Sequence, residues 1–196
     1  MYKVAIMGKA NTGKNTLGKM LVRQLRQHNN QEWMSASYMA FADPMKEMIR
    51  EMFPGLPKKF LYGSSKFRNE IVPRAFKDGA PLTVRQLLID VGTQGRSYNS
   101  EVWVDNFSVR LFRTYRKITV VTDVRFRNEF DYLRKEGFYL IRLYRETGQP
   151  EIQHISETGQ QAIKDEEFDY VLLNNRPLEK IKLEVSNNII PYLHDK

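Results

Sequence analysis

The chain opens on a short apolar run, Val4-Ala5-Ile6-Met7, and turns apolar again at Leu17, Met20, Leu21 and Leu25, which share one helical face. Between them lies Gly8-Lys9-Ala10-Asn11-Thr12-Gly13-Lys14, so the pattern predicts a strand, a glycine-bracketed loop and an amphipathic helix. Asn29-Asn30-Gln31 breaks the period, and Ser35 to Phe41 alternates loosely as a second strand. Asp43-Pro44 reads as a helix cap followed by proline at the first helical position. Met45, Met48, Ile49, Met52 and Phe53 then repeat at helical spacing, a stripe expected in the core, until Pro54-Gly55 stops it.

From Leu56 to Pro81 no period is sustained, and Gly, Pro, Ser and basic residues predict an irregular arm. Phe60, Leu61, Tyr62, Phe67, Ile71 and Phe76 argue that the arm is ordered. Thr83 is predicted to cap a helix through Val91, with Leu87, Leu88 and Val91 inward. Gly92-Thr93-Gln94-Gly95-Arg96 reads as a polar break before a second helix that begins near Ser100, with Trp103, Val104, Phe107 and Leu111 on one face. Ile118 to Thr122 is the clearest interior strand and delivers Asp123 at its carboxyl end. A helix carrying Phe130 and Leu133 and ending at Gly137 follows, then strands Phe138 to Tyr144 and Tyr170 to Leu173, then Asn174-Asn175 and a last helix with Leu178, Ile181, Leu183 and Val185. Alternating strands and helices predict an α/β fold with a five-stranded parallel sheet covered on both faces.

The first loop has the spacing G-x-x-x-x-G-K, in the strand-to-helix context that a phosphate-binding loop requires. Gly8 and Gly13 admit backbone angles and close approaches that a β-carbon would block, so successive N–H groups can turn toward an anion. The following helix adds its N-terminal donors and the positive end of its dipole. Lys14 is placed to reach the β- and γ-phosphates of a nucleoside triphosphate. Where the usual loop carries a Ser or Thr hydroxyl for Mg²⁺, this chain has Asn15, followed by Thr16. Asn15 can offer a carbonyl oxygen or hold a metal-bound water. Asp123, at a strand end, is the acid expected at Mg²⁺.

Length and composition narrow the field. The 196 residues suit one domain (1-196) with a core of about 1-55, 100-145 and 168-196, a substrate-binding insertion of about 56-99 and a lid of about 146-167. The absence of cysteine excludes a disulfide framework and thiolate metal sites. No signal pattern and no membrane-length apolar run is read, so the chain is expected in the cytoplasm, the host's if a phage encodes it. The net charge of +8 suits either nucleic acid or a pocket that gathers phosphates. The basic residues alternate with acids such as Glu129, Asp131 and Glu136, which argues against a nucleic-acid stripe. No metal-ligand cluster, nucleophile triad or internal repeat is read, and His154 alone suggests no more than a surface or capping role.

Several stretches together resemble one family, the bacteriophage deoxynucleoside monophosphate kinases. GKANTGKNT resembles that family's phosphate loop, in which Thr follows one residue later than usual, the place of Thr16. Phe41 to Lys46 (FADPMK), Leu61 to Glu70 (LYGSSKFRNE), Leu82 to Arg96 (LTVRQLLIDVGTQGR) followed by Trp103, Thr122 to Glu129 (TDVRFRNE) and His154 to Glu157 (HISE) resemble, in order, its substrate segment, basic arm, supporting helix, strand-end motif and lid motif. The departures are Asn15, and Ser64 and Arg127, where many relatives are expected to carry proline.

The resemblance implies a P-loop NTPase-like three-layer sandwich with a substrate arm and a lid. It also implies transfer of the γ-phosphoryl group of ATP, with Mg²⁺, to a deoxynucleoside monophosphate. Gly8, Lys9, Ala10, Asn11, Thr12, Gly13, Lys14, Asn15 and Thr16 are then expected at the ATP phosphates, with Arg145 on adenine or in the lid, and Asn15, Thr16 and Asp123 at the metal. Lys14, Arg68, Arg125 and Asp123 are the expected catalytic groups, and Lys46, Arg68, Arg85 and Arg125 the expected grip on the monophosphate or the transferring phosphoryl group. Gln94, Trp103, Asn128 and Glu129 are expected to orient base or sugar, and Asp43 either caps its helix or touches substrate. A homodimer is implied by the resemblance alone. Rival readings are a P-loop kinase of a coenzyme precursor or ribonucleotide, a basic P-loop ATPase on nucleic acid, and a nucleotide-binding protein without turnover.

Overall fold

The structure, a computed structural model, describes residues 1–145 and 159–193. The N-terminal apolar run forms β1 (Tyr2–Met7), whose Val4, Ala5, Ile6 and Met7 are all buried. A strand buried on both faces is unbroken in hydrophobicity, which is the mark of the centre of a parallel sheet. Around it lie β2 (Ala36–Met39), β5 (Ile118–Val124), β6 (Tyr139–Tyr144) and β7 (Tyr170–Leu173), all parallel, in the spatial order β2-β5-β1-β6-β7.

Helix α1 (Lys14–His28) returns the chain from β1 toward β2, and α6 (Arg127–Lys135) carries it from β5 across to β6. These crossovers run to opposite sides of β1, so right-handed connections place the two helices on opposite faces of the sheet. The last helix, α7 (Leu178–Asn188), shares α1's face. There Leu21 and Leu25 of α1 and Ile181 and Val185 of α7 pack over Val4, Ile6, Val120 and Ile141. The carboxyl end of β1 is the point where the strand order reverses, the usual ligand edge of an open α/β sheet. Helix α1 ends as expected, with Asn30 in the left-handed region at φ 51°.

The chain divides into two compact units, one of Met1–Ala40 with the chain from Leu111 onward, the other of Phe41–Arg110. The second unit holds α2 (Asp43–Met52), α3 (Lys58–Tyr62), β3 (Ile71–Lys77), β4 (Ala80–Thr83), α4 (Val84–Tyr98) and most of α5 (Val102–Phe112). Its core is built from Ile49, Leu61, Val72, Val84, Leu87 and Trp103.

Several expectations need correction in this second unit. Asp43 is the first residue of α2 rather than its cap: Ala42 stands at the cap position and no side chain caps the helix. Only Met45 and Ile49 of the expected apolar stripe are buried, whereas Met48 and Met52 are about half exposed. A short helix on one small core buries a single i, i+4 seam, and Met48 and Met52 form the neighbouring seam, roughly 60° round.

The arm expected to be irregular contains α3, a 3₁₀ turn (Ser65–Asn69) and the β3–β4 hairpin. The hairpin turns through Asp78 and Gly79, both at positive φ, and Asp-Gly is the strongest short hairpin signal in a sequence. Thr83 caps α4 as expected, its hydroxyl accepting from the Gln86 amide in a capping box. The expected break at Gly92–Arg96 does not exist, because α4 runs on to Tyr98. Gly95 instead leaves room for Trp103, whose indole N–H donates to the Gly92 carbonyl at 3.1 Å, while a β-carbon on Gly92 would lie 3.2 Å from the Met45 sulfur. A β-carbon on Gly95 would stand 2.5 Å from the ring.

Candidate active site

The loop between β1 and α1 is shaped by two glycines. Gly8 passes under β6 so closely that a β-carbon would lie 2.4 Å from the Leu143 carbonyl oxygen. Gly13 caps α1 at φ 99°, a conformation that L side chains avoid. Asn11 is also left-handed, at φ 62°. Thr12 is buried, and its hydroxyl donates to the Lys9 carbonyl at 2.9 Å. Asn174, just past β7, donates its side-chain N–H to the Thr12 carbonyl at 2.7 Å. The loop is therefore pinned from within and from the neighbouring strand.

Helix α1 has no side-chain cap and no acid in its first turn. Its positive end is left to attract an anion. The Lys14 ammonium donates to the Gly8 and Lys9 carbonyls at 2.6 and 2.5 Å, so the charge is held over the loop it belongs to. Lys9, Ala10 and Asn11 form the exposed crest of the loop.

Oxygen donors stand beside that crest. Asn15 and Thr16 occupy the first turn of α1, and the Asn15 carbonyl oxygen accepts from the Thr122 hydroxyl at 2.8 Å. Asp123 is half-buried and lies within β5, one residue short of its end rather than beyond it. Amide, hydroxyl and carboxylate oxygens are the hard donors that Mg²⁺ takes, so these residues fit that ion. Among the described residues no group of three or more His, Cys, Asp or Glu side chains is placed to hold a metal.

After β5 the chain presents Arg125, exposed, and then α6. Glu129, expected to orient base or sugar, is buried instead, and its carboxylate accepts from the backbone N–H groups of Arg125 and Phe126 at 2.8 and 3.2 Å. It holds the turn that presents Arg125. Asn128, half-buried, accepts from the Glu129 amide at 3.0 Å.

A cavity of about 490 Å³ opens beside the loop between α1 and α7, lined by Gly13, Thr16, Met20, Leu143 and Leu172, with Arg145, Asn174, Asn175 and Arg176 at the strand ends. Arg145 was expected here. Asn174, Asn175 and Arg176 were not, although their place at the carboxyl end of a parallel strand marks them as ligand-edge residues.

The remaining expected residues belong to the second unit. Lys46 pairs with Asp43 at 3.2 Å, and its ammonium lies 5.2 Å from the centre of the Tyr62 ring. Burial, then the nearby Glu47 and Asp43 carboxylates, push the Tyr62 phenol up, which keeps it neutral. Arg68 donates to the Phe60 and Leu61 carbonyls at the end of α3. Arg85, in the first turn of α4, reaches the Asn69 side chain at 3.4 Å. Gln94 is exposed and bonded to Ser97 at 3.2 Å. Trp103, also expected at base or sugar, is buried against α4 and acts as a packing residue. The stretch His154 to Glu157 lies outside the described residues.

Among known proteins, the chain is 29% identical over 198 residues to an Acanthamoeba polyphaga mimivirus protein described as "Putative deoxynucleotide monophosphate kinase", covering 94% of both. Of solved structures, a gluconokinase from Sinorhizobium meliloti 1021 aligns with TM-score 0.49 and 15% identity, over 99% of this chain and 94% of that one. A shikimate kinase from Aquifex aeolicus aligns with TM-score 0.47 and 12% identity, over 98% and 99%. The model of the family Deoxynucleotide monophosphate kinase matches residues 58–185, about two thirds of the chain. The chain belongs to the deoxynucleotide monophosphate kinase family.

Proposed function

We propose that the protein transfers the γ-phosphoryl group of ATP to a deoxynucleoside monophosphate, giving the diphosphate and ADP, as a step in deoxynucleotide supply. The observation that carries this reading is the loop from Gly8 to Lys14, with an uncapped helix start and an ammonium folded over its own carbonyls. The β- and γ-phosphate oxygens replace the Gly8 and Lys9 carbonyls as acceptors of Lys14, an exchange of neutral for anionic partners that favours the bound state. The adenosine end of ATP lies in the cavity at the ends of β6 and β7, with Arg145 or Arg176 against the base and the Asn174 and Asn175 amides near its polar edge.

Asn15, Thr16 and Asp123 are the residues that would hold Mg²⁺, which would supply charge neutralisation for phosphoryl transfer when bound. Lys46, Arg68 and Arg85 grip the acceptor monophosphate, and Arg125, steadied by Glu129, faces the transferring group. In the reaction the bond from the γ-phosphorus to the bridging oxygen of ADP breaks, and a bond to a monophosphate oxygen forms. Arg68 exchanges its bonds at the end of α3 for phosphate oxygens when acceptor binds.

Diphosphate formation from ATP, Mg²⁺ and each of the four deoxynucleoside monophosphates tests this, with Lys14→Ala alongside. Product with one or more of the four, reduced at least about 100-fold in Lys14→Ala, is expected. If ATP binds and none of the four is phosphorylated, the acceptor is wrong or turnover has been lost. A ribonucleotide and coenzyme-precursor panel then separates those cases.

A further inference from the structure

We propose that Thr122 is a positioning residue that fixes the Asn15 side chain as an oxygen donor toward the cation accompanying ATP. The inference rests on the reading of the loop as the ATP site. In the usual loop the residue after lysine offers a hydroxyl, which needs no orienting because either lone pair serves. An amide differs: one end attracts a cation and the other, NH₂, repels it. Replacing the hydroxyl with Asn15 therefore requires something to hold the amide the right way round.

Thr122 meets that need. Its hydroxyl donates to the Asn15 carbonyl oxygen at 2.8 Å, and a carbonyl oxygen keeps a second lone pair for a cation or its water. The rotamer of Thr122 is set by its methyl group, because a β-carbon on Gly18 of α1 would lie 3.2 Å from that carbon. With the methyl lodged where α1 offers no side chain, the hydroxyl on the same carbon is turned toward Asn15, one helical turn back. In effect the hydroxyl that the usual motif carries on the helix has moved to the strand, and the oxygen donor is its amide partner.

The strand is adapted to this. Ala5 pairs with Val121 and Met7 with Val124, so two steps along β1 match three along β5 and the extra residue falls at Thr122–Asp123. A bulge re-aims side chains locally, and here it falls on the residue that orients Asn15 and on the acid expected at the same ion.

The test is metal and nucleotide binding rather than turnover. Thr122→Val removes the hydroxyl at nearly constant shape, and Thr122→Ser restores it. ADP and a non-hydrolysable ATP analogue are titrated calorimetrically with Mg²⁺ and with EDTA, and Mn²⁺ binding to the nucleotide complex is followed by electron paramagnetic resonance. Thr122→Val is expected to weaken Mn²⁺ binding about 10-fold or more, to leave nucleotide affinity in EDTA unchanged, and to be rescued by Thr122→Ser. Thr122→Val should then cost Mn²⁺ binding little or nothing further in the Asn15→Ala background. Unchanged Mn²⁺ binding in Thr122→Val overturns the proposal. Equal weakening with and without cation also overturns it, since that is the signature of lost packing. If the wild-type chain binds no nucleotide, the reading of the loop falls with it, whereas an indifferent Thr122 in a chain that binds Mg-nucleotide sinks this inference alone.

Discussion

At the scale of single residues, the loop depends on a side chain far away in sequence. Asn174 donates to the Thr12 carbonyl at 2.7 Å, and its amide nitrogen lies 2.7 Å from where a Gly13 β-carbon would stand. One amide therefore braces the loop and, in the same position, lines the cavity beside it. Asn174→Ala is expected to weaken ATP-analogue binding about 5-fold, the worth of one hydrogen bond near 1 kcal/mol, with little loss of thermal stability. Gly13→Ala should lower the folding free energy by about 1–2 kcal/mol through its left-handed backbone alone. Urea denaturation beside a nucleotide titration separates these effects, and a nucleotide affinity in Asn174→Ala equal to wild type would remove Asn174 from the loop. Lys14, Gly8 and Gly13 were legible because their chemistry is local and their spacing fixed. Asn174 was not, because a bond across 162 positions leaves no periodic trace.

At the scale of elements, α4 shows why a glycine pair inside a helix misleads. Gly in a helix interior costs about 1 kcal/mol relative to Ala, so Gly92 and Gly95 read as a break. In the fold that cost is offset by the burial of the Trp103 indole and its bond to the Gly92 carbonyl. Gly95→Ala is expected to destabilise by about 1–3 kcal/mol and to red-shift tryptophan emission as the ring is displaced. A variant as stable as wild type would show that α4 and Trp103 adjust freely. The same logic reassigns Glu129. Its position three residues into α6 matches a helix-start acid as well as a ligand contact, and only its burial and two backbone partners decide between them.

For the molecule as a whole, charge ties folding to pH. Burial, reinforced by the Asp169 carboxylate, pushes the Tyr139 phenol on β6 from 10.0 up to about 12. A raised phenol stays neutral in the fold while the unfolded chain ionises, so its contribution is intact below about pH 10 and is lost as the pH rises toward 12. Thermal unfolding scans across that window should fall steeply for the wild-type chain and less steeply for Tyr139→Phe. Parallel curves would show that other groups govern the alkaline limb. Among the described residues no helix is long and apolar enough to cross a membrane. What the amino-acid order determined by itself was whatever depends on near neighbours: the five strands of the parallel sheet and their alternation with helices, the glycine-bracketed loop after the first strand, the Thr83 cap, and the acid near the end of the strongest strand with the arginine just past it. Periodicity and motif spacing report backbone geometry over a few residues, and those features need nothing more. Tertiary structure alone decided the strand order, which acids and aromatics turned inward, the bracing of the loop by Asn174, and the pairing of Asn15 with Thr122. These depend on which distant side chains the sheet brings within hydrogen-bonding distance, and a linear pattern carries no record of that distance.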